Sequence, residues 1–291
     1  MEIMRSSETF DPRIEIAGFS VPRLGFGALA LTGQPGGFGP FPDTDHATSV
    51  LRRAYELGIR FVDTALAYGP GFNEELIARA FSKWPSDLLV ATKVGVEKRS
   101  PTDARPVGHP KALVRQVRES AGRLKRDSLD LVYLHLPDPK VPLEDSIGAL
   151  QSLRHDGLIS HVGLSNVSRA QIESVLSLGP VAAVQNRYSF THRADDLIID
   201  ELARRGIAYV PYGPLGNEPD NAPPEKRRAL NHTAERLGAT PSQTALAWLL
   251  RRSNNVIPIP GTSSLEHLEQ NVSATALALD ASAAIELDAL R

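Results

Sequence analysis

The chain has 291 residues and a formal net charge of −2, so it has no basic excess that would favour nucleic acid or an anionic membrane surface as a partner. It contains no cysteine, which excludes disulfides, thiolate metal sites and cysteine nucleophiles. This length suits one or two ordinary domains, or one α/β barrel with a single core.

The start of the chain carries charges at Glu2, Arg5 and Glu8 and no long apolar run, which is not typical of a secretory signal. No stretch of the sequence approaches the ~18 consecutive apolar residues of a membrane-spanning helix. We therefore expect a cytoplasmic protein that does not insert into membranes.

The run IEIAGFSVP at residues 14–22 predicts a β-hairpin that closes the bottom of a barrel. From residue 24 onward, eight apolar runs predict strands, and their apolar character on both faces is typical of parallel strands between a core and helices. In chain order these runs are 24–31, 60–65, 88–94, 129–136, 160–166, 181–188, 207–213 and 255–261.

Helical patterns follow the strands, and Asn73, Pro110 and Pro241 mark predicted helix starts. The predicted helices cover 46–58, 73–81, 109–125, 142–157, 168–179, 194–206, 224–238, 241–252 and 264–272. This alternation predicts a (β/α)₈ TIM barrel, formed by residues 1–291 as a single domain, with an extra C-terminal helix. A doubly wound open sheet would need a glycine-rich turn that opens straight into a helix, whereas GFGALA leads into the loop LTGQPGGFGPFPD.

Polar residues stand at the C-terminal ends of the predicted strands, where barrels place their active sites. Asp63, Lys93 and His135 end the second, third and fourth strands, and Tyr68 follows Asp63 closely. Taken singly, each has an ordinary explanation: a capping Asp, a core Tyr, or a solvated Lys or His. No metal site is expected, because no His or carboxylate cluster has ligand spacing.

Together these four side chains suit hydride delivery to a carbonyl group, a reaction that develops negative charge on oxygen. Tyr68 would be the acid, with its pKa lowered by the ammonium of Lys93. Asp63 would hold Lys93 in place, and His135 would donate a hydrogen bond to the carbonyl oxygen.

In this order, the motifs DTALAYG, ATK, LHLPDP, GLSN, VQNRY, PYGPLG and IPIPGTSSLEHLEQN resemble the aldo-keto reductase superfamily over nearly the whole chain. The resemblance implies that Asp63, Tyr68, Lys93 and His135 are the catalytic tetrad and that a nicotinamide cofactor binds across the barrel mouth. The implied cofactor-binding residues are Gly27, Ala28, Leu29, Asp63, Ser165, Asn166, Gln185, Tyr212, Gly213, Pro214, Leu215, Gly216, Ile259, Gly261, Thr262, Ser263, Ser264, His267, Gln270 and Asn271.

Within that implied site, Ser165, Asn166 and Gln185 would hold the carboxamide, and Tyr212 would stack on the nicotinamide ring. The helix start after residue 261 would bind the phosphates. The alternative interpretation of the same residues is an ordinary strand-to-helix turn with a serine cap. Many relatives bind the 2′-phosphate with a Lys and an Arg where this chain has Gly261 and His267. NADPH is the expected cofactor, and NADH stays open.

The loop at 31–43 resembles the pyridoxal reductase branch of the superfamily, which implies reduction of pyridoxal to pyridoxine or the reverse reaction. The other predicted substrate loops are 94–110 and 215–224. The expected partner is therefore a small-molecule carbonyl substrate, and the protein would act as a monomer or small homo-oligomer. The alternative is a redox-sensing regulatory subunit that binds the nicotinamide with little turnover. A lyase is disfavoured, because only Asp63 is placed to act as a base.

Overall fold

In the computed structural model, which describes residues 12–216 and 223–290, seven parallel strands form one curled sheet. Across that sheet the strand order is β3, β4, β5, β8, β9, β10, β11, and two small antiparallel hairpins lie outside it. The strands are β1 (Arg13–Ile16), β2 (Phe19–Pro22), β3 (Phe26–Gly27), β4 (Phe61–Asp63), β5 (Leu89–Val94), β6 (Val96–Lys98), β7 (Ala104–Pro106), β8 (Leu129–Leu134), β9 (Ile159–Ser165), β10 (Val181–Gln185) and β11 (Ala208–Tyr209).

An eighth extended segment joins the two edges of this sheet. The Ile257 amide donates to the Tyr209 carbonyl at 2.9 Å, and the Gly25 and Gly27 amides donate to the carbonyls of Pro258 and Pro260 at 3.0 and 3.2 Å. Pro258 and Pro260 have no N–H that could donate a hydrogen bond to β3. The segment is therefore irregular, whereas the sequence predicted a regular strand at 255–261. The barrel is nevertheless closed, and the predicted (β/α)₈ fold is confirmed.

The first predicted strand is also shorter than its apolar run. Only Phe26–Gly27 pairs with β4, and the chain then turns through a short 3₁₀ helix at Ala28–Leu31. The prediction of a strand over 24–31 was therefore wrong for its second half, because an apolar run alone does not distinguish a strand from a buried turn.

Ten α-helices lie around the barrel in the described residues. They are α1 (Thr44–Glu56), α2 (Phe72–Ala80), α3 (Pro110–Leu124), α4 (Leu143–His155), α5 (Arg169–Val175), α6 (Asp196–Arg204), α7 (Pro224–Leu237), α8 (Pro241–Arg252), α9 (Leu265–Ser273) and α10 (Ala281–Ala289). The last of these is the extra C-terminal helix. No helix in 12–216 or 223–290 is long and apolar enough to cross a membrane.

Helix α2 begins differently from the prediction. Its N-cap is Gly71, and Asn73 is a buried residue within the first turn. The side-chain Nδ2 of Asn73 donates to the carbonyls of Ala28 and Leu31 at 2.9 and 3.0 Å, and its Oδ1 accepts from the hydroxyl of Thr64. Asn73 therefore holds the chain that follows β3 instead of capping a helix.

The hairpin of β1 and β2 closes the N-terminal end of the barrel. Its Ile16 and Val21 are buried in the same interior cluster as Phe61 and Leu89, the first residues of β4 and β5. A second apolar core lies between the strands and the surrounding helices. The N-terminal residues 1–11 lie outside the described residues, and a single domain over 1–291 stays a prediction.

Candidate active site

Strand alternation brings the polar side chains to the open end of the barrel. Phe61, Ala91 and Ala183 belong to the interior core, and Asp63, Lys93 and Gln185 stand two residues further along the same strands. Side chains two residues apart in a strand share a face. The interior therefore changes from apolar to polar or charged side chains within two residues of the C-terminal ends of β4, β5 and β10.

Asp63 and Lys93 form a buried ion pair at this end. The Lys93 Nζ lies 2.6 Å from Asp63 Oδ1, and each side chain is only 1 % exposed. The second carboxylate oxygen accepts from Gln185 Nε2 at 3.1 Å, so both oxygens of Asp63 have a donor. Burial disfavours the ammonium of Lys93, but Asp63 and Tyr68 together raise its pKa above the usual value.

Tyr68 meets this pair through its hydroxyl. The Lys93 Nζ lies 3.2 Å from Tyr68 Oη and 2.8 Å from the carbonyl oxygen of Thr64. A backbone bond from Tyr68 N to Ala65 O at 2.9 Å forms the turn that returns the phenol to the pair. The predicted cation beside the phenol is therefore present.

The expected direction of the Tyr68 pKa shift was wrong. Burial raises the pKa of Tyr68 above its usual value of 10.0, and the ammonium of Lys93 only opposes that rise. Desolvation outweighs the nearby charge because the phenolate would have to form away from water. Tyr68 is thus fully protonated at neutral pH, which is the state that a proton donor requires.

His135 completes the group on the far side of Tyr68. The two rings meet edge to face with centroids 6.1 Å apart. Burial, Lys93 and Lys98 lower the pKa of His135 to about 3, so the imidazole is neutral at neutral pH. Its buried Nδ1 has no hydrogen-bond partner among the described residues, and a neutral imidazole in this position has one N–H to donate.

The residues predicted to hold the carboxamide form a connected network beside the tetrad. Asn166, which adopts a left-handed backbone at φ 55°, donates to the His135 carbonyl at 2.9 Å and to Ser165 Oγ at 3.0 Å. The Tyr212 hydroxyl donates to Asn166 Oδ1 at 2.8 Å. Together with the bond from Gln185 to Asp63, this network links β9 and β10 to the ion pair.

Three of the residues predicted for the cofactor, Gly27, Ile259 and Gly261, lie at the seam between β3 and the eighth segment. A Cβ on Gly27 would lie 2.6 Å from the carbonyl oxygen of Ile259, and a Cβ on Gly261 would lie 2.5 Å from that of Gly27. Only glycine allows these backbones to approach so closely. The side chain of Ile259 is buried in the barrel interior, and its backbone carbonyl is the group that approaches Gly27.

Helix α9 starts immediately after the seam. Ser264 is its N-cap and accepts from His267 N at 3.3 Å, while Thr262 Oγ1 accepts from Ser264 N at 3.0 Å. The Ser263 carbonyl contacts His46 Nε2 at 2.7 Å. The ordinary serine-capped turn is therefore present, and it also offers first-turn amides to an anion. Further along α9, Asn271 is buried, whereas the Gln270 amide contacts Glu266.

The remaining predicted cofactor residues line two turns. Ala28 is buried in the 3₁₀ turn after β3, and Leu29 is exposed there. Gly213, Pro214, Leu215 and Gly216 form a turn closed by a bond from Gly216 N to Gly213 O at 2.9 Å. The predicted substrate loop 215–224 continues from this turn, and its residues 217–222 lie outside the described residues.

Sequence reasoning missed two contributors to the site. The carbonyl oxygen of Thr64 binds the ammonium of Lys93, and motif reading does not register backbone groups. Lys98 helps to lower the pKa of His135, but in the sequence it lies in a predicted loop of mixed charge and was not singled out. Its position five residues after Lys93 was the one available signal. In the described part of the chain, no group of three His, Asp or Glu side chains could hold a metal ion.

Comparison with known proteins identifies the family of this barrel. The sequence profile of the Aldo/keto reductase family matches residues 23–291. The chain belongs to the aldo/keto reductase family. Its members are oxidoreductases, and the predicted resemblance is confirmed.

Individual relatives cover most of the chain. A pyridoxine 4-dehydrogenase of Escherichia coli (strain K12) is 41% identical over 277 residues, which span 93% of this chain and 95% of the relative. A probable aldo-keto reductase 1 of Glycine max is 34% identical in an alignment 290 residues long that covers 90% of this chain and 83% of the relative. The crystal structure of a thermostable aldo-keto reductase with the inhibitor epalrestat superposes with a TM-score of 0.85, at 29% identity over 96% of this chain and 99% of that one.

Proposed function

We propose that this protein is an NAD(P)H-dependent reductase of aldehydes or ketones in which Tyr68 donates the proton. The observation that carries the proposal is the position of Lys93 Nζ, 2.6 Å from Asp63 Oδ1 and 3.2 Å from Tyr68 Oη. A phenol held between an ammonium and a neutral imidazole at the mouth of a barrel suits proton transfer to a carbonyl oxygen.

The residues present fit a nicotinamide cofactor. Amide side chains border the ion pair, and the glycine seam brings two backbones together just before the N-terminus of α9. Asn166, Gln185 and Tyr212 would hold the nicotinamide end, and the first turn of α9 would hold phosphate. When bound, the cofactor supplies a hydride to the carbonyl carbon.

The tetrad supplies the proton and the electrostatic stabilisation. The imidazole of His135 would donate a hydrogen bond to the carbonyl oxygen and fix its position. Tyr68 would pass its proton to the same oxygen, because an alkoxide is a stronger base than a phenolate. Lys93 would stabilise the phenolate left behind, and Asp63 would hold Lys93 charged and in place.

NADPH is the proposed cofactor. Ser263, Ser264 and His267 stand at the start of α9 and would bind a 2′-phosphate in place of the Lys and Arg of many relatives. Gly261 offers no side chain for this purpose, so the preference over NADH would be smaller than in those relatives. A cytoplasmic location and a monomer or small homo-oligomer stay predictions from the sequence.

Pyridoxal is the proposed substrate, with pyridoxine as its product. Support comes from the 41% identity to the pyridoxine 4-dehydrogenase of Escherichia coli (strain K12). The glycine-rich loop after β3 supports it further, because this loop is anchored beside the catalytic tyrosine: Gly69 N donates to Gly37 O at 3.0 Å.

The test is to mix the protein with NADPH or NADH and a panel containing pyridoxal and simple aromatic aldehydes. Loss of absorbance from the reduced nicotinamide and formation of the alcohol would support the proposal. Tight NADPH binding with no reduction of any panel member would contradict it and favour the redox-sensing subunit.

A further inference from the structure

Lys98 is a cation at the mouth of the barrel, and residues 12–216 and 223–290 place no carboxylate beside it as a counter-ion. It ends β6, and the hairpin of β6 and β7 follows directly after β5. Its ammonium donates to the carbonyl oxygens of Gly36 and Gly37, the latter at 3.2 Å. The side chain is half-buried, and burial lowers the pKa of Lys98 with no carboxylate among the described residues to offset it.

Backbone contacts connect this ammonium to the chain beside Tyr68. The carbonyl oxygen of Gly37 accepts from Lys98 and also from the amide of Gly69, at 3.0 Å, and Gly69 directly follows Tyr68. The charge of Lys98 also contributes to the low pKa of His135. Lys98 is therefore joined through Gly37 to the residue after Tyr68 and is close enough to His135 to affect its pKa.

Close packing holds the hairpin of Lys98 against the loop after β3, and apolar side chains are exposed at the same end of the barrel. A Cβ on Gly36 would lie 2.9 Å from Pro101 O, so the loop after β3 packs closely on the β6–β7 hairpin. The exposed side chains of Leu29 and Leu136 follow β3 and His135 at the same end of the barrel. The mouth thus combines two exposed apolar side chains with the half-buried ammonium of Lys98.

We propose that Lys98 is a substrate-binding residue that selects aromatic carbonyl compounds carrying an anionic oxygen, either a carboxylate or a phenolate. The inference rests on the proposed reductase function and specifies its substrate class. Two carbonyl contacts direct the ammonium but leave its charge uncompensated, and an ammonium has three N–H donors. An anionic oxygen would supply both a counter-charge and a charge-assisted hydrogen bond.

The kinetic test compares matched aldehydes that differ only in charge. Steady-state rates are measured for 4-formylbenzoate against its methyl ester, and for pyridoxal against its ring O-methyl ether, so that carboxylate and phenolate are examined separately. In Lys98→Met we expect the anionic-to-neutral ratio of kcat/KM to fall about tenfold or more, mainly through KM. Lys98→Arg should keep most of the ratio.

Lys83→Met is the matched control, since it removes an exposed lysine that precedes β5 at the other end of the barrel. It should leave both ratios unchanged. If Lys98→Met slows the charged and neutral aldehydes by the same factor, Lys98 only fastens the loop after β3 and the proposal is overturned.

A binding measurement keeps this inference separable from the reductase proposal. Calorimetric titration of the purified protein with benzoate and with benzamide requires no turnover. We expect wild type and Lys83→Met to bind benzoate about tenfold more tightly than benzamide, and Lys98→Met to lose that preference. Equal binding of the two ligands by wild type would overturn the anion site, whereas absence of any reduction would overturn only the reductase.

Discussion

The two ends of the barrel are built from the same strands but differ in what fills them. At the N-terminal end, Ile16 and Val21 of the hairpin close an apolar interior that begins with Phe61 and Leu131. At the C-terminal end, two residues along β4 and β5, the interior consists of the buried pair Asp63 and Lys93.

This difference separates stability from chemistry. Apolar burial at the closed end stabilises the fold with no directional requirement. A buried ion pair adds little net stability, because desolvation offsets its attraction, yet losing one partner is costly. The open end is therefore the part of the molecule where geometry serves the reaction, and substitutions at the two ends should have different consequences.

The largest expected effect is on catalysis at the open end. Tyr68→Phe removes the proposed proton donor and keeps the ring that packs against His135, so kcat should fall by about 10²–10⁴-fold. Cofactor affinity and the free energy of unfolding should stay near wild type. Stopped-flow reduction would measure kcat, and fluorescence titration with NADPH would measure cofactor affinity. A Tyr68→Phe enzyme with normal kcat would show that Tyr68 is not the proton donor.

The next effect is on stability at the same end. Lys93→Met leaves Asp63 buried without its ammonium and should lower the free energy of unfolding by about 3–5 kcal/mol. Urea denaturation would measure this loss. In the double variant Lys93→Met with Asp63→Leu, part of the stability should return while activity stays absent, and a double variant less stable than the single one would contradict this account of the pair.

At the closed end, only stability should change. Ile16→Ala removes buried side-chain volume from the hairpin and should lower the free energy of unfolding by about 2–4 kcal/mol. Its kcat should match wild type at a temperature where the variant is folded. A clear loss of kcat in that variant would mean that the hairpin affects the open end.

The smallest expected effect concerns pH. The pKa of His135 is lowered from 6.5 to about 3 in the folded protein. Below pH 6.5 the unfolded chain binds a proton that the folded protein does not, so stability falls as pH decreases from there toward 3. His135→Asn should lose less free energy of unfolding between neutral and mildly acidic pH than wild type does, and identical profiles would argue against a neutral buried imidazole.

Much of this arrangement was predictable from the sequence. Alternation within a strand and the rule for barrel active sites place Asp63, Lys93 and His135 at one end, and the motifs place Tyr68 beside them. The net direction of the Tyr68 pKa shift was not predictable, because burial depends on every neighbour of the hydroxyl. Asn73 was misread for a similar reason: a helix-capping residue type also suits a buried amide that binds backbone carbonyls.

The details of the seam were also beyond sequence reasoning. Pro258 and Pro260 themselves have no N–H to donate, but only the structure reveals that their carbonyls accept from the amides of Gly25 and Gly27. Gly27 and Gly261 were predicted as cofactor residues, and the structure adds a steric requirement for glycine at both. The proposed role of Lys98 depends on the β6–β7 hairpin, which the sequence pattern of this loop did not predict.

The most direct test of the central claim is the pH dependence of single-turnover rates in both directions, with an aldehyde and with its alcohol. If the phenol of Tyr68 moves the proton, reduction stays constant through neutral pH and declines only at strongly alkaline pH, because burial raises the pKa of Tyr68 above its usual value. Alcohol oxidation should rise as the pH approaches that pKa. Both dependences should vanish in Tyr68→Phe. A transition near neutral pH that persists in Tyr68→Phe would show that another group carries the proton.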